Sequence, residues 1–412
     1  MKKLLLLFLS IFTVMGTWAT VTQPTLTTDE TNPTYYVIQS VRSGKYANYV
    51  GASAQLTQVT SASATVNALW YFVANGNGVS IVPAADPTVK LASTSSATAD
   101  GAVWYTPENP YNAGTFCVSL TSGATENCWD DQGGHTTIGY WQPGPNDYQG
   151  TSWNIVEVPV TKEQVDAGTV DMTFALTKLD VLARLAPLSS LSVYTDANIA
   201  AVKNAADETA LNTALTAFET SISLYCRSNK YLVVGESACS YVASPSGYEE
   251  AIMLESAGNG TFYLKGYKSE KYVGDVVVSA AVSTDATPTT AFYFETYNGY
   301  TVVRPSDTSS YYDGYRYIHN GGGGCVGWEP SGTNTQHTIA EVTLPAEMVN
   351  VTYHVMVGGV DKAQSTVECG VGDAPSVPAA LQYPYTSFTY DVETIAANTT
   401  DVYATAVPFV DM

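Results

Sequence analysis

The stretch "GKYANYVG" (Gly44–Gly51) sets a basic residue and a tyrosine at the head of a short apolar run, and the phrase recurs. It returns as "NKYLVVG" at Lys230-Tyr231, "EKYVGDV" at Lys271-Tyr272 and "YRYIHNG" at Arg316-Tyr317, with weaker echoes at Lys90-Leu91 and Cys128-Trp129. About twenty residues after each copy comes an alternating strand: Trp70 and Phe72, Trp104, Trp153 and Ile155, Ile252 and Leu254, Phe292 and Phe294, His337 and Ile339. Period-two alternation puts the first residue and its i+2 neighbour on one face, the core face, which assigns Trp70, Trp104 and Trp153 to structure. Turns rich in Asn and Gly at 75–78, 258–260 and 297–300 then lead into a further strand, as β-hairpins require.

Each unit therefore spans about 40 residues with roughly four strands, three times over residues 34–158 and three times over 224–343. Three such units around a pseudo-threefold axis make a β-trefoil, whereas a propeller needs at least about four blades around a channel. Residues 161–222 separate the two groups. They are rich in Ala and Leu, with Leu211, Leu215, Phe218 and Ile222 on one helical stripe and Asp207 and Glu208 at a helix N-terminus. Two or three short helices are expected there, acting as a spacer that packs on itself or on a trefoil. Residues 345–412 read as a small antiparallel sandwich, Ig-like, whose last strand completes it or marks a shortened relative of something longer. The expected fold is mainly β: two β-trefoils joined by a short helical segment, followed by a small C-terminal β-sandwich.

Lys2 and Lys3, the apolar run Leu4–Val14 and the pattern Thr17-Trp18-Ala19 describe a secretory signal peptide over residues 1–19. With no Cys near the cleavage point, a lipid anchor there is not expected, and the protein should be secreted, periplasmic or at the cell surface. The formal charge is −21, or −23 if Lys2 and Lys3 leave with the leader, and such a field repels nucleic acid and anionic membranes. Charged residues are only 13% while Tyr numbers 29, so this is a folded chain with a hydroxyl-rich surface rather than an acidic disordered one. Cys117/Cys128 and Cys226/Cys239 could each close a short disulfide loop, with buried free thiols as the alternative. No C-x-x-C spacing occurs and His135, His319, His337 and His354 are scattered, so no metal or other cofactor is expected.

Gly322, Gly324 and Gly327 have dinucleotide-fingerprint spacing, but they lead through Pro330 into a strand rather than opening a helix, which argues against a nucleotide site. There is no G-x-S-x-G elbow or H-E-x-x-H helix, and no catalytic residue is assigned. Sugar binding asks instead for an exposed ring beside short polar groups. Two loops supply that mixture, each in the third repeat of its trefoil. One holds Trp129, Asp130, Asp131, Gln132, His135, Tyr140 and Trp141; the other holds Tyr311, Tyr312, Asp313, Arg316, His319, Asn320 and Trp328. Aligning "GYW" (Gly139 to Trp141) with "VGW" (Val326 to Trp328) matches the two tryptophans.

The basic-Tyr strand, the later "SWNIVEV" or "HTIAEV" strand and the threefold repetition resemble the ricin-B-like, lectin-like β-trefoil modules of secreted multidomain glycan-active proteins of Bacteroidetes-type bacteria. The resemblance covers residues 34–343. Neither the Q-x-W triplet nor the sialidase pattern S-x-D-x-G-x-x-W is present, so no individual ligand or catalytic residue is carried over. It implies a non-catalytic carbohydrate-binding protein with glycans as partners. The alternative it implies is an accessory or scaffold fragment of a sialidase-type or other glycoside hydrolase assembly, contacting protein rather than sugar.

Overall fold

All six copies of the repeated phrase are strands in the computed structural model: Tyr46–Asn48, Lys90–Leu91, Cys128–Asp130, Lys230–Val234, Tyr272–Val273 and Tyr317–Asn320. The structure describes residues 23–92, 96–123, 126–133, 135–145, 149–245, 247–307, 316–322 and 324–408. Residues 1–19, read above as a signal peptide, and Tyr311, Tyr312 and Asp313 lie outside the described residues. The chain is mainly β, and it divides into two compact units. One takes the described residues up to Phe218 with Ser256–Phe262 and Tyr293–Val302; the other takes Glu219–Glu255, Tyr263–Phe292 and the described residues from Val303 onward.

The first trefoil closes by pairing its first strand with its last, Tyr36–Ser40 against Trp153–Glu157. Its threefold axis is written in side-chain hydrogen bonds. Trp70, Trp104 and Trp153 each donate the indole N–H to a backbone carbonyl, on Ala47, Leu91 and Trp129, at 3.1, 3.1 and 3.0 Å. Ala47, Leu91 and Trp129 are therefore the equivalent residues, and all three are fully buried. The weaker echoes of the repeat must be shifted by one residue: Lys45-Tyr46 corresponds to Val89-Lys90 and Asn127-Cys128. The face decides this, because a one-residue slip turns every side chain of a strand over. Tyr46 points instead to the outer layer, with Tyr35, Val37 and Tyr71, beneath the helix Met172–Leu185.

That helix is capped by Asp171, whose side chain accepts from the Phe174 N–H at 3.0 Å, and it buries Met172, Ala175, Leu176 and Leu179 on the trefoil. The spacer holds four α-helices: Lys162–Asp166, Met172–Leu185, Asp196–Lys203 and Glu208–Leu215. Lys178 reaches across to the C-terminal end of the third, donating to the carbonyls of Lys203 and Ala205 at 3.0 and 3.2 Å. Asp207 caps the fourth, as its position predicted, but the helix ends at Leu215, and Ile222 belongs to the next strand, Ser221–Cys226.

In the second trefoil the first and last strands again pair, Ser221–Cys226 against His337–Glu341. The phrase residues Tyr231, Tyr272 and Tyr317 precede the buried Leu232, Val273 and Ile318, repeating the relation of Tyr46 to Ala47. Its hairpin turns Asn259-Gly260 and Asn298-Gly299 hold positive φ at both central residues, 51° and 70°, then 49° and 77°, the two-residue geometry that suits twisted strands. Where the first trefoil stacks tryptophans, this one places Ile252, Phe292 and His337. His337 is buried, and its Nε2 lies 2.8 Å from the hydroxyl of Tyr241.

All six cysteines are free thiols. Cys117 and Cys128 lie against each other, fully buried. Cys226 Sγ meets Ser228 Oγ and the Asn334 carbonyl, both at 3.2 Å, rather than Cys239. Beyond residue 345, the described strands form one four-stranded mixed sheet, ordered Val360–Gly370, Met348–Val357, Asp401–Pro408, Tyr385–Tyr390. Met348–Val357 and Asp401–Pro408 run parallel, where the sequence suggested antiparallel pairing throughout. Tyr353, Val355, Val402 and Ala404 form a core with Val377 and Ile395, which come from the irregular segments between strands.

Candidate functional site

The two third-repeat hairpins share one register. Trp141 lies opposite Cys128, and Trp328 lies opposite Tyr317; Asp130 faces Gly139, and His319 faces Val326. The two tryptophans are equivalent, as the alignment of "GYW" with "VGW" anticipated. Asp131 and Asn320 are equivalent too.

Register also explains why several candidates cannot meet a ligand. Trp129 points inward and is fully buried, with Trp70, Trp104 and Trp153 edge-on around it at centroid distances of 6.4, 5.9 and 5.7 Å. It is core, not a sugar platform. Asp131, also fully buried, accepts from Ser40 Oγ at 2.6 Å and from the Gly133 N–H at 3.0 Å, with Arg42 Nη1 at 3.5 Å. Asn320 does the same work in the second trefoil: it donates to Ser228 Oγ at 2.8 Å and accepts from the Gly322 N–H at 3.1 Å. Both tie the first strand's turn to the hairpin and close a local turn. Buried Asp130 accepts from the Gln132 N–H at 2.6 Å. Arg316 is 5% exposed; it donates through Nε to the Val276 carbonyl at 2.9 Å, through Nη1 to the Asp307 carbonyl at 3.0 Å, and through Nη2 to the Asp275 carboxylate. Trp129, Asp130, Asp131, Arg316 and Asn320 are thereby corrected from ligand candidates to structural residues: the Trp129 ring is sealed in the core, and the other four turn their bonded polar groups into the fold.

Gln132, His135 and Trp141 stand exposed on the first hairpin, with Trp141 61% accessible. The Gln132 side chain lies over Gly139 so closely that any side chain at 139 would collide with it. On the second hairpin, Trp328 is 37% accessible and its indole lies 5.8 Å from the His319 ring at 36°. The two rings border an open depression of about 290 Å³ lined by Ser279, His319, Gly321, Val326 and Trp328. His319 Nδ1 is 2.8 Å from Thr335 Oγ1, and burial lowers its pKa.

Sequence reasoning missed Ser279 and its neighbour Val277. They come from the second repeat, held to the hairpin because the Ser279 N–H donates to the Gly327 carbonyl at 3.1 Å and the Gly327 N–H donates to Val277 at 3.0 Å. Val277 is half exposed beside them. No periodicity marks the stretch Asp275–Ala280, so only its place against the hairpin reveals it. Among the described residues no cluster of His, Cys, Asp or Glu could hold a metal ion. Among them, too, no helix is long and apolar enough to cross a membrane.

Residues 18–106 match the family described as ricin-type beta-trefoil lectin domain-like, a non-catalytic carbohydrate-binding module. The matched span ends before the third repeat, which carries Trp141. Among solved structures, a mosquitocidal holotoxin is similar at 10% identity and a TM-score of 0.35, covering 78% of this chain. This chain spans 36% of the length of that toxin chain. No match to a curated protein was found.

Proposed function

We propose that this is a secreted, non-catalytic carbohydrate-binding protein whose ligand contacts centre on Trp328, with Trp141 as the corresponding contact of the first trefoil. The observation that carries the reading is Trp328 itself: a partly exposed indole at the rim of a depression whose other walls offer a hydroxyl and an imidazole. A pyranose has an apolar face that stacks on such a ring and hydroxyls that the short polar groups satisfy. The similarity of residues 18–106 to a lectin-like family supports the same class of ligand. The leader Lys2 to Ala19 supports export. Shallow sites of this kind are weak singly, and two of them on one chain gain avidity on a multivalent glycan. A glycan array tests the proposal: the folded parent should retain a defined set of glycans and hold them more weakly when Trp328 is replaced by Ala, whereas a folded parent that retains none would contradict it.

A further inference from the structure

The depression beside Trp328 is served by a hydrogen-bond chain that has a direction. Thr335 Oγ1 donates to the carbonyl oxygen of Glu329 at 2.8 Å. A carbonyl only accepts, so the single hydroxyl hydrogen is used there. The same Thr335 oxygen lies 2.8 Å from His319 Nδ1 and must accept that bond, which places the imidazole proton on Nδ1. In the neutral ring Nε2 then carries a lone pair, and among the described residues no hydrogen bond reaches it while the ring lines the depression. Burial disfavours the imidazolium and keeps the ring neutral near pH 7. Among the described residues that line it none is charged, and the nearby guanidinium of Arg316 is committed to Asp275 and Asp307.

We propose that His319 determines the specificity of this site: its Nε2 accepts a hydroxyl hydrogen from an uncharged hexopyranose whose apolar face rests on Trp328. The inference rests on the carbohydrate-binding reading above. It adds a polarity that an indole cannot supply. A uronate that presents its carboxylate to Nε2 sets lone pair against lone pair without compensation, and in any pose its charge meets the field of a chain of net charge −21, so it is selected against.

The test is ¹⁵N-resolved imidazole spectroscopy on the full chain, with His319→Asn assigning the resonance. The protein is then titrated with the methyl glycosides of galactose, glucose, mannose and glucuronic acid, using the Trp328 indole N–H as a second reporter. The free protein should show a pyrrole-type Nδ1 and a pyridine-type Nε2. At least one neutral glycoside should move both Nε2 and the Trp328 signal, and the glucuronide should move neither. His319→Asn keeps a donor for Thr335 but has no atom in the place of Nε2, so neutral binding should weaken about 5- to 10-fold, one hydrogen bond's worth. A pyridine-type Nδ1, a preference for the glucuronide, or undiminished binding by His319→Asn would overturn the inference while leaving sugar binding at Trp328 intact. If no glycoside of either kind moves the Trp328 signal of the folded protein, the inference falls together with the reading it rests on.

Discussion

Trp153 donates its indole N–H to the backbone carbonyl of Trp129 at 3.0 Å, joining the last strand of the first trefoil to the hairpin that presents Trp141. Both residues are fully buried, so neither group has water as an alternative partner. Trp153→Phe keeps an aromatic ring but orphans the carbonyl, and unfolding by denaturant should show a loss of at least about 1–3 kcal/mol. Trp104→Phe, at the threefold-related position bonded to Leu91, should cost a similar amount. Trp141→Ala, at an exposed ring, should stay within about 0.5 kcal/mol of the parent. Equal costs at buried and exposed positions would sink this division.

Asp131 and Arg316 are predicted to act on stability rather than affinity. Replacing Asp131 by Ala removes the acceptor for Ser40 and the partner of Arg42, and should cost about 1.5–3 kcal/mol. Arg316→Gln breaks the guanidinium's ties to Val276, Asp275 and Asp307, and a loss of similar size is expected. Measured on the folded fraction, glycan affinity should be that of the parent for both variants. A selective loss of affinity with unchanged denaturation would return them to the ligand site.

How far these roles could be read beforehand depends on which residue is asked. The recurrence of Lys45-Tyr46, Lys230-Tyr231, Lys271-Tyr272 and Arg316-Tyr317 locates four strands, because a half-buried strand repeats its pattern wherever the same layer is rebuilt. Trp70 and Trp153 were legible as core from period-two alternation. Trp129 was not: its strand, Cys128–Asp130, is three residues long, too short for alternation to distinguish an inward ring from an outward one. Asp131 and Asn320 looked like ligands because a turn brace and a sugar ligand use the same short polar side chains. Ser279 was invisible, since its role arises from a contact between segments about fifty residues apart in the chain.

The C-terminal sheet should respond to pH through His354. Its Nδ1 lies 2.7 Å from Asp361 Oδ2 and its Nε2 3.1 Å from Asp401 Oδ1, and these two hydrogen bonds raise its pKa above the ordinary 6.5. A raised imidazole stabilises the fold fully below its unfolded value and loses that contribution as pH rises through the folded one. Asp401, bonded to Thr400 and then to His354, has its pKa lowered from 3.8, so its contribution is present above that value and is lost as pH falls through the folded pKa. The clamp is therefore strongest from about pH 4 to 6.5 and loosens above. Hydrogen exchange in Met348–Val357 and Asp401–Pro408, corrected for intrinsic rates, should be less protected at pH 8.5 than at 5.5, and His354→Gln should flatten the difference. Identical slopes in parent and variant would contradict the assignment.

The central claim is that the partly exposed Trp328 is a ligand ring, and that Trp141 is its counterpart. It is tested most directly by one glycan array run on the parent, Trp328→Ala, Trp141→Ala and the double variant, each shown to be folded by its denaturation curve. Each single loss should weaken binding to the retained glycans by about ten- to a hundredfold on a multivalent surface, and the double variant should bind none. Unchanged binding by the folded double variant would contradict the account.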